Sequence, residues 1–222
     1  MADPTSERLG RLGLLDWPRE TRLTGEMAHR RRRPRELSEF EDERLDITTR
    51  LQGEAGLAMT RESLIAARLY TGPAFVKYNA VLRGMQCGAC AFFVQRLEGL
   101  CGSPPNLYAT TLHVINNAIV ALARLTAPRH VYRGIAGGKL PDAFHIPDQF
   151  GNVGGVELGC MSTTDDLSVA LEYAADDNGL VLEIHLGESR GAELMWVSQY
   201  PHEQESASPQ GCRIPDADWH CT

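Results

Sequence analysis

The chain has 222 residues, 43% of them hydrophobic and 23% charged, with a formal net charge of -7. That length holds one domain with a real core plus some additional structure, and the composition argues against wholesale disorder. An acidic balance argues against a general nucleic-acid binder, which needs a surplus of Lys and Arg on one face, and fits a basic partner better. Met1 to Glu20 has no apolar run suited to a signal peptide, no later segment is apolar enough to span a membrane, and no Asn-x-Ser/Thr sequon occurs. The expectation is therefore an intracellular, cytoplasmic protein whose six cysteines are reduced thiols. The basic run Arg30-Arg31-Arg32-Arg33-Pro34-Arg35 keeps a nuclear address open, although a run of like charge is most simply a solvated tail.

In chain order, residues 1–35 carry few periodic apolar positions and read as poorly ordered. From Leu37 to about Leu51 the charges alternate in sign, as on an exposed helix. Thr60 suits the N-cap of a helix through Leu64, Ile65 and Leu69, and Gly72-Pro73 breaks it before a helix carrying Phe75, Val76, Val81 and Leu82. Ala89 to Leu100 forms a further short helix. Thr110 to Leu125, with Leu112, Ile115, Ile119 and Leu122 on one face, is the clearest helical pattern.

Beyond Pro128 the pattern turns to strands: Arg129 to Ile135, Val156 to Thr164, Gly179 to Leu186 and Leu194 to Val197. Asp165 or Asp166 caps a helix through Val169 and Tyr173. Residues after Ser206 offer little that could pair. Helices first and strands later predict an α+β domain, not a regular alternation of parallel units. Within it, the Tyr-Pro turn at Tyr200-Pro201 leads to two carboxylates one residue apart, Glu203 and Glu205, a loop arrangement suited to chemistry.

Three segments of the second half form an ordered set: Val131-Tyr132-Arg133-Gly134, Cys160-Met161-Ser162-Thr163-Thr164 and Glu203-Gln204-Glu205. The set resembles the arginine-specific mono-ADP-ribosyltransferases, the class marked by an Arg, a Ser and a Glu on separate strands. Tyr70 to Gly84 is similar to the helical region that precedes the catalytic core in that family, so the resemblance runs from about Thr60 to Glu205. It implies a mixed, largely antiparallel split sheet behind a helical N-terminal half. The domain expectation is an extension over 1–59 that is poorly ordered apart from a possible helix, a transferase domain over 60–205, and a divergent tail over 206–222.

The resemblance also implies an activity and roles. NAD or NADP is the co-substrate, the acceptor is an arginine-bearing protein, and neither a metal nor nucleic acid is needed. Arg133 holds the dinucleotide, for which its planar paired donors are suited. Gly134 meets the nicotinamide amide through its backbone, and a glycine there lets a flat ring approach. Ser162, with Thr163 beside it, orients the glutamate and the dinucleotide. Glu205 stabilises the ribose cation as nicotinamide leaves, by the logic of glycoside cleavage. Glu203 binds the acceptor guanidinium and helps remove its proton, and Tyr200 stacks on that group.

One departure from the family pattern carries an expectation. The family continues from the second glutamate into an apolar strand, whereas here Ser206-Ala207-Ser208-Pro209 follows, so the supporting strand is expected to be missing. A loosely held carboxylate would then make the chain an inactive NAD-binding or protein-interaction module of the same fold. An NAD glycohydrolase, which releases nicotinamide without labelling an acceptor, is a third reading. Cys87-Gly88-Ala89-Cys90 lacks a second close pair for zinc, and Gly137-Gly138 and Gly151 to Gly155 lack the spacing of a dinucleotide fingerprint.

Overall fold

The computed structural model describes residues 35–86, 91–127, 129–136, 140, 142–175, 179–186, 191–200, 205–210, 212–215 and 219–220. The first half is helical. A 3₁₀ turn, Leu37–Phe40, enters α1, Glu41–Ala55, which Gly56 ends in a left-handed conformation at φ 64. Helix α2, Arg61–Tyr70, starts at Thr60, whose hydroxyl accepts from the Ser63 N–H at 3.2 Å. Helices α3, Phe75–Gln86, α4, Ala91–Cys101, and α5, Ala109–Ala123, follow. No helix among the described residues is long and apolar enough to cross a membrane.

Apolar residues of α1, α2 and α5 close the main core. Leu51, Leu64, Tyr70, Ile115 and Ile119 are buried together with Leu194, Val197 and Ala207 from the strand half. At roughly 2 kcal/mol for each large apolar side chain removed from water, this seam fixes the helices to the sheet. Arg44 secures the α1–α2 junction, donating to the Met59 carbonyl at 2.8 Å and pairing with Glu41 at 2.8 Å.

The strand half comprises β1, Arg129–Ile135; β2, Gly154–Glu157; β3, Met161–Thr164; α6, Leu167–Ala174; β4, Leu180–Leu186; β5, Ala192–Glu193; β6, Glu205–Ser208; β7, Cys212–Pro215; and β8, Trp219–His220. Six of these form one sheet in the order β5-β6-β3-β1-β4-β8, and β2 pairs with β7 in a second. All the pairings described are antiparallel. Leu182, Ile184, Leu186 and Val131 from one sheet meet Cys212 and Ile214 from the other in a separate core. The expected α+β architecture, helical first and split antiparallel sheet second, is the one observed.

Three expectations about strands are corrected. Val156 to Thr164 is two strands: β2 joins the small sheet, β3 the large one, and the chain turns through Gly159 between them. A Cβ at Gly159 would stand 2.7 Å from the Asn79 amide oxygen, which explains the glycine at the break. Leu194 to Val197 is a turn, closed by the Val197 N–H on the Leu194 carbonyl at 3.0 Å. Its apolar residues point inward at the ends of a turn, which mimics a short buried strand. The third correction matters most. The strand expected to be missing after Glu205 is present as β6, and β7 and β8 lie beyond it. Its Ser206, Ala207 and Ser208 are at most 1% exposed, so small side chains fill a crowded place where larger apolar ones were sought.

Candidate active site

β3 stands between β6 and β1, which brings Ser162, Glu205 and Arg133 onto three adjacent strands. On one side β3 pairs fully with β6, with Thr164 opposite Glu205 and Ser162 opposite Ala207. On the other side β1 and β3 are joined at Tyr132 opposite Thr164. Past that point the Arg133 side chain spans the gap, donating from Nη1 to the Ser162 carbonyl at 2.6 Å. The sheet splits here. A cleft of ≈ 720 Å³, its open mouth included, lies at the split and is lined by Arg133, Gly134, Ser162, Glu205, Tyr200 and Tyr132 among others.

Glu205 is 9% exposed, and both its oxygens have partners. The Ser162 hydroxyl donates to Oε1 at 2.7 Å, and the Ser198 hydroxyl reaches Oε2 at 3.4 Å. Hydrogen bonds to a carboxylate are the stronger kind, about 2 kcal/mol each when short and well aligned. Ser198 in turn accepts from the Tyr200 N–H at 2.9 Å. Behind Ser162, the Tyr70 phenol lies 3.1 Å from its hydroxyl oxygen. Burial drives the Tyr70 phenol far above its usual range, so it stays protonated and can donate. Tyr70, Ser162 and Glu205 thus form a relay in which each hydroxyl has one direction to point.

The last turn of α2 also anchors the loop that precedes β6. Arg68 donates from Nη1 to the Val197 carbonyl at 2.9 Å and the Ser198 carbonyl at 3.2 Å. The Gln199 N–H donates to the Thr71 hydroxyl at 3.1 Å, and its side-chain amide to the Arg68 carbonyl at 2.8 Å. Residues 68 to 71 therefore fix Ser198 from outside and Ser162 from within. The contributors that sequence reasoning missed are Tyr70, Ser198 and Arg68. Tyr70 opens the helical stretch that carried the family resemblance, and that position was the only available signal.

β3 is set in place by two further devices. The Asn79 side chain of α3 makes paired hydrogen bonds to the Cys160 backbone, at 2.9 Å to its N–H and 3.1 Å to its carbonyl. Arg83, one turn on, makes a bidentate pair with Glu157 at 2.9 Å for each bond. Burial would raise the Glu157 carboxyl, but the Arg83 hydrogen bonds and charge hold it below its ordinary value. Burial pushes the Cys160 thiol up to about 12, which leaves it a packed, inert group. The Arg133 guanidinium is desolvated, which lowers its pKa, while the Glu157 charge partly offsets this; it remains a cation.

The other predicted residues fall as follows. Thr163 is buried, and its hydroxyl donates to the Ser206 carbonyl at 3.2 Å, so it ties β3 to β6 as well as bordering the cleft. Tyr200 is 7% exposed and sits in the cleft wall, not on an open loop. Gly134 borders the cleft, and the packing around it gives a reason of its own for a glycine. A Cβ there would collide with the Ala170 carbonyl and stand 2.8 Å from Tyr173 Cβ, so Gly134 lets α6 lie directly on β1. Glu203, the Cys87-to-Cys90 motif and Gly137-Gly138 lie outside the described residues.

The arrangement can hold a carboxylate desolvated, aimed and hydrogen-bonded beside a cleft that also contains a guanidinium and several hydroxyls. A dinucleotide fits that donor set: a cation for phosphate oxygens, a carboxylate for a ribose hydroxyl or a developing positive charge, and aromatic walls for a flat ring. No protein-family model and no curated protein sequence matches the chain. Solved structures do. The ADP-ribosyltransferase HopU1 of Pseudomonas syringae pv. Tomato DC3000 superposes with a TM-score of 0.52 at 20% identity, covering 82% of this chain and 78% of that one. The ADP-ribosyltransferase Vis of Vibrio splendidus, in complex with agmatine, gives a TM-score of 0.50 at 13% identity, covering 82% and 79%. At such identities the likeness speaks for architecture, and the chain has the ADP-ribosyltransferase fold.

Proposed function

We propose that the protein is a NAD(P)+-dependent protein-arginine mono-ADP-ribosyltransferase. The observation that carries this reading is the Ser162–Glu205 hydrogen bond across paired strands, beside Arg133, at the split of a sheet with that fold. In this reading Arg133 binds the dinucleotide phosphates, and Gly134 and Thr163 border the nicotinamide end. Glu205, aligned by Ser162, stabilises positive charge on the ribose as the C1′–nicotinamide bond breaks and its electron pair leaves with the nicotinamide. An acceptor guanidinium nitrogen then bonds to C1′ and loses a proton, which Glu203 assists, while Tyr200 packs against the acceptor side chain. NAD supplies the ADP-ribose; the choice between NAD and NADP rests on contacts at the adenosine ribose.

Arginine is favoured as acceptor by the carboxylate two residues before Glu205 and by the agmatine complex of Vis, agmatine being a guanidinium compound. The embedded β6 removes the physical reason to favour an inactive module, since it anchors Glu205 on both sides of its strand. The reading places the protein inside a cell, where NAD is abundant and thiols stay reduced.

The test is an assay of the full chain with labelled NAD and an arginine-rich protein, following nicotinamide release and label transfer separately. Wild type is expected to show both. Glu203→Gln is expected to lower transfer at least about 10-fold while leaving nicotinamide release within about twofold. Release without transfer in the wild type would make it a glycohydrolase, and binding without release would make it an NAD-binding module; either sinks the proposal.

A further inference from the structure

On the face of the sheet that carries α6, the helix covers Tyr132 and Val181 but leaves the far ends of β1 and β4 open. There His130 and His185 stand directly opposite one another in the β1–β4 register. Their ring centroids are 3.7 Å apart, with the planes tilted at 47°. Two residues along β4, on the same face, Glu183 places Oε1 3.3 Å from the His130 Nδ1. One ligand atom from each of the three side chains lies within 4.8 Å of the others. Both histidines are exposed and Glu183 is partly so.

We propose that His130, His185 and Glu183 form a binding site for a divalent transition-metal ion of the zinc class. Two imidazoles and a carboxylate are donors that zinc takes in open, water-completed sites, with donors about 3.3 Å apart around a tetrahedral ion. The three groups here need to close by at most about 1.5 Å, a distance that side-chain rotation can supply. Without an ion, two imidazoles in direct cross-strand contact gain little, and their protonated forms repel. The fourth position faces solvent and takes water. An imidazole-rich set with a single carboxylate disfavours magnesium and calcium, which prefer oxygen ligands throughout.

The ion would join the two longest strands at a point where neither backbone can be pulled without the other. Tyr132, which borders the cleft, lies opposite Glu183, and Arg133 follows it. Metal binding therefore clamps the strand that carries the cleft's guanidinium. The clamp stands apart from ADP-ribosyl transfer and holds whether or not that activity is found.

Calorimetric titration of metal-stripped full-length protein with zinc tests the site. One equivalent is expected to bind, with an affinity at least about 10-fold weaker in His130→Ala and in His185→Ala. Zinc at a hundredfold excess over its Kd is expected to raise the thermal midpoint of wild type by about 5 °C and to leave the double variant unmoved. Cobalt in place of zinc should give a visible spectrum without thiolate charge transfer. No binding, unchanged affinity in either alanine variant, or a thiolate band that puts the ion on cysteines would overturn the proposal.

Discussion

Glu205 is held at both oxygens, and the hydroxyl nearest to it is itself held by Tyr70. Tyr70 is a positioning residue in this account, because it reaches the cleft only through Ser162. Removing one neutral hydrogen bond of this kind costs about 1 kcal/mol, about a fivefold change in rate if it is felt in the transition state. Tyr70→Phe is therefore expected to lower kcat about fivefold with KM for NAD changed less than about twofold. A change in KM with kcat intact would mean that the phenol serves binding or packing instead. The residues of the cleft were unevenly legible in the sequence. Arg133, Ser162 and Glu205 are visible through their order in the chain, which matches the family pattern; Arg133 and Ser162 also have strand-like surroundings, which Glu205 lacks. Ser198 was hidden as one serine in a polar loop, and Tyr70 as one more aromatic on an amphipathic helix. Contacts between residues 92 positions apart, as in Tyr70 to Ser162, leave no local pattern.

Two elements are set by single residues. Gly134 allows α6 to rest on β1, and any side chain there meets the Ala170 carbonyl, which belongs to the helix backbone and cannot rotate away. Gly134→Ala is expected to cost about 3 kcal/mol, read as a fall of the denaturation midpoint in urea. Gly53, on the open side of α1, serves as the control, because a methyl group added there would meet nothing within 4 Å. There Gly→Ala is expected to stabilise by about 0.5–1 kcal/mol. The Arg83–Glu157 pair joins α3 to the end of β2, with each side chain less than a fifth exposed. Because the folded-state pKa of Glu157 lies below its ordinary value, the unfolded chain takes up the proton first as the solution is acidified. Its stabilising contribution is present above about pH 4.5 and is lost as pH falls through the folded value. Glu157→Gln is expected to lower stability near pH 7 by about 3 kcal/mol and to flatten the acid side of the stability curve. A variant with an unchanged slope between pH 5 and 3, roughly the window of carboxylate titration, would contradict this assignment. Element boundaries illustrate what sequence patterns can carry. β4 and α5 announce themselves through alternation and helical spacing. β6, Glu-Ser-Ala-Ser, has none of the β-branched or aromatic residues that mark a strand, since its place between β3 and β5 admits small side chains. The run Leu194 to Val197 is the reverse case, an apolar run whose two ends are buried and which is yet a turn.

For the molecule as a whole, the helical half and the sheet are interdependent. Leu51 and Leu64 share a core with Val197 and Ala207, and the last turn of α2 grips the loop before β6. Loss of helical packing should therefore loosen the carboxylate as surely as a change in the cleft. The net charge of -7 suits an acceptor presenting arginine, since long-range attraction raises encounter rates and weakens with added salt. In the proposed function Glu205, fixed by Ser162 and Ser198, supports cleavage of the nicotinamide–ribose bond. The most direct measurement compares wild type with Glu205→Gln, which keeps the size of the side chain and much of its hydrogen bonding. The variant is expected to fold with a similar thermal midpoint, to bind NAD still, and to lose at least about 10³-fold in both nicotinamide release and ADP-ribosyl transfer. A folded variant that releases nicotinamide at the wild-type rate would contradict that role.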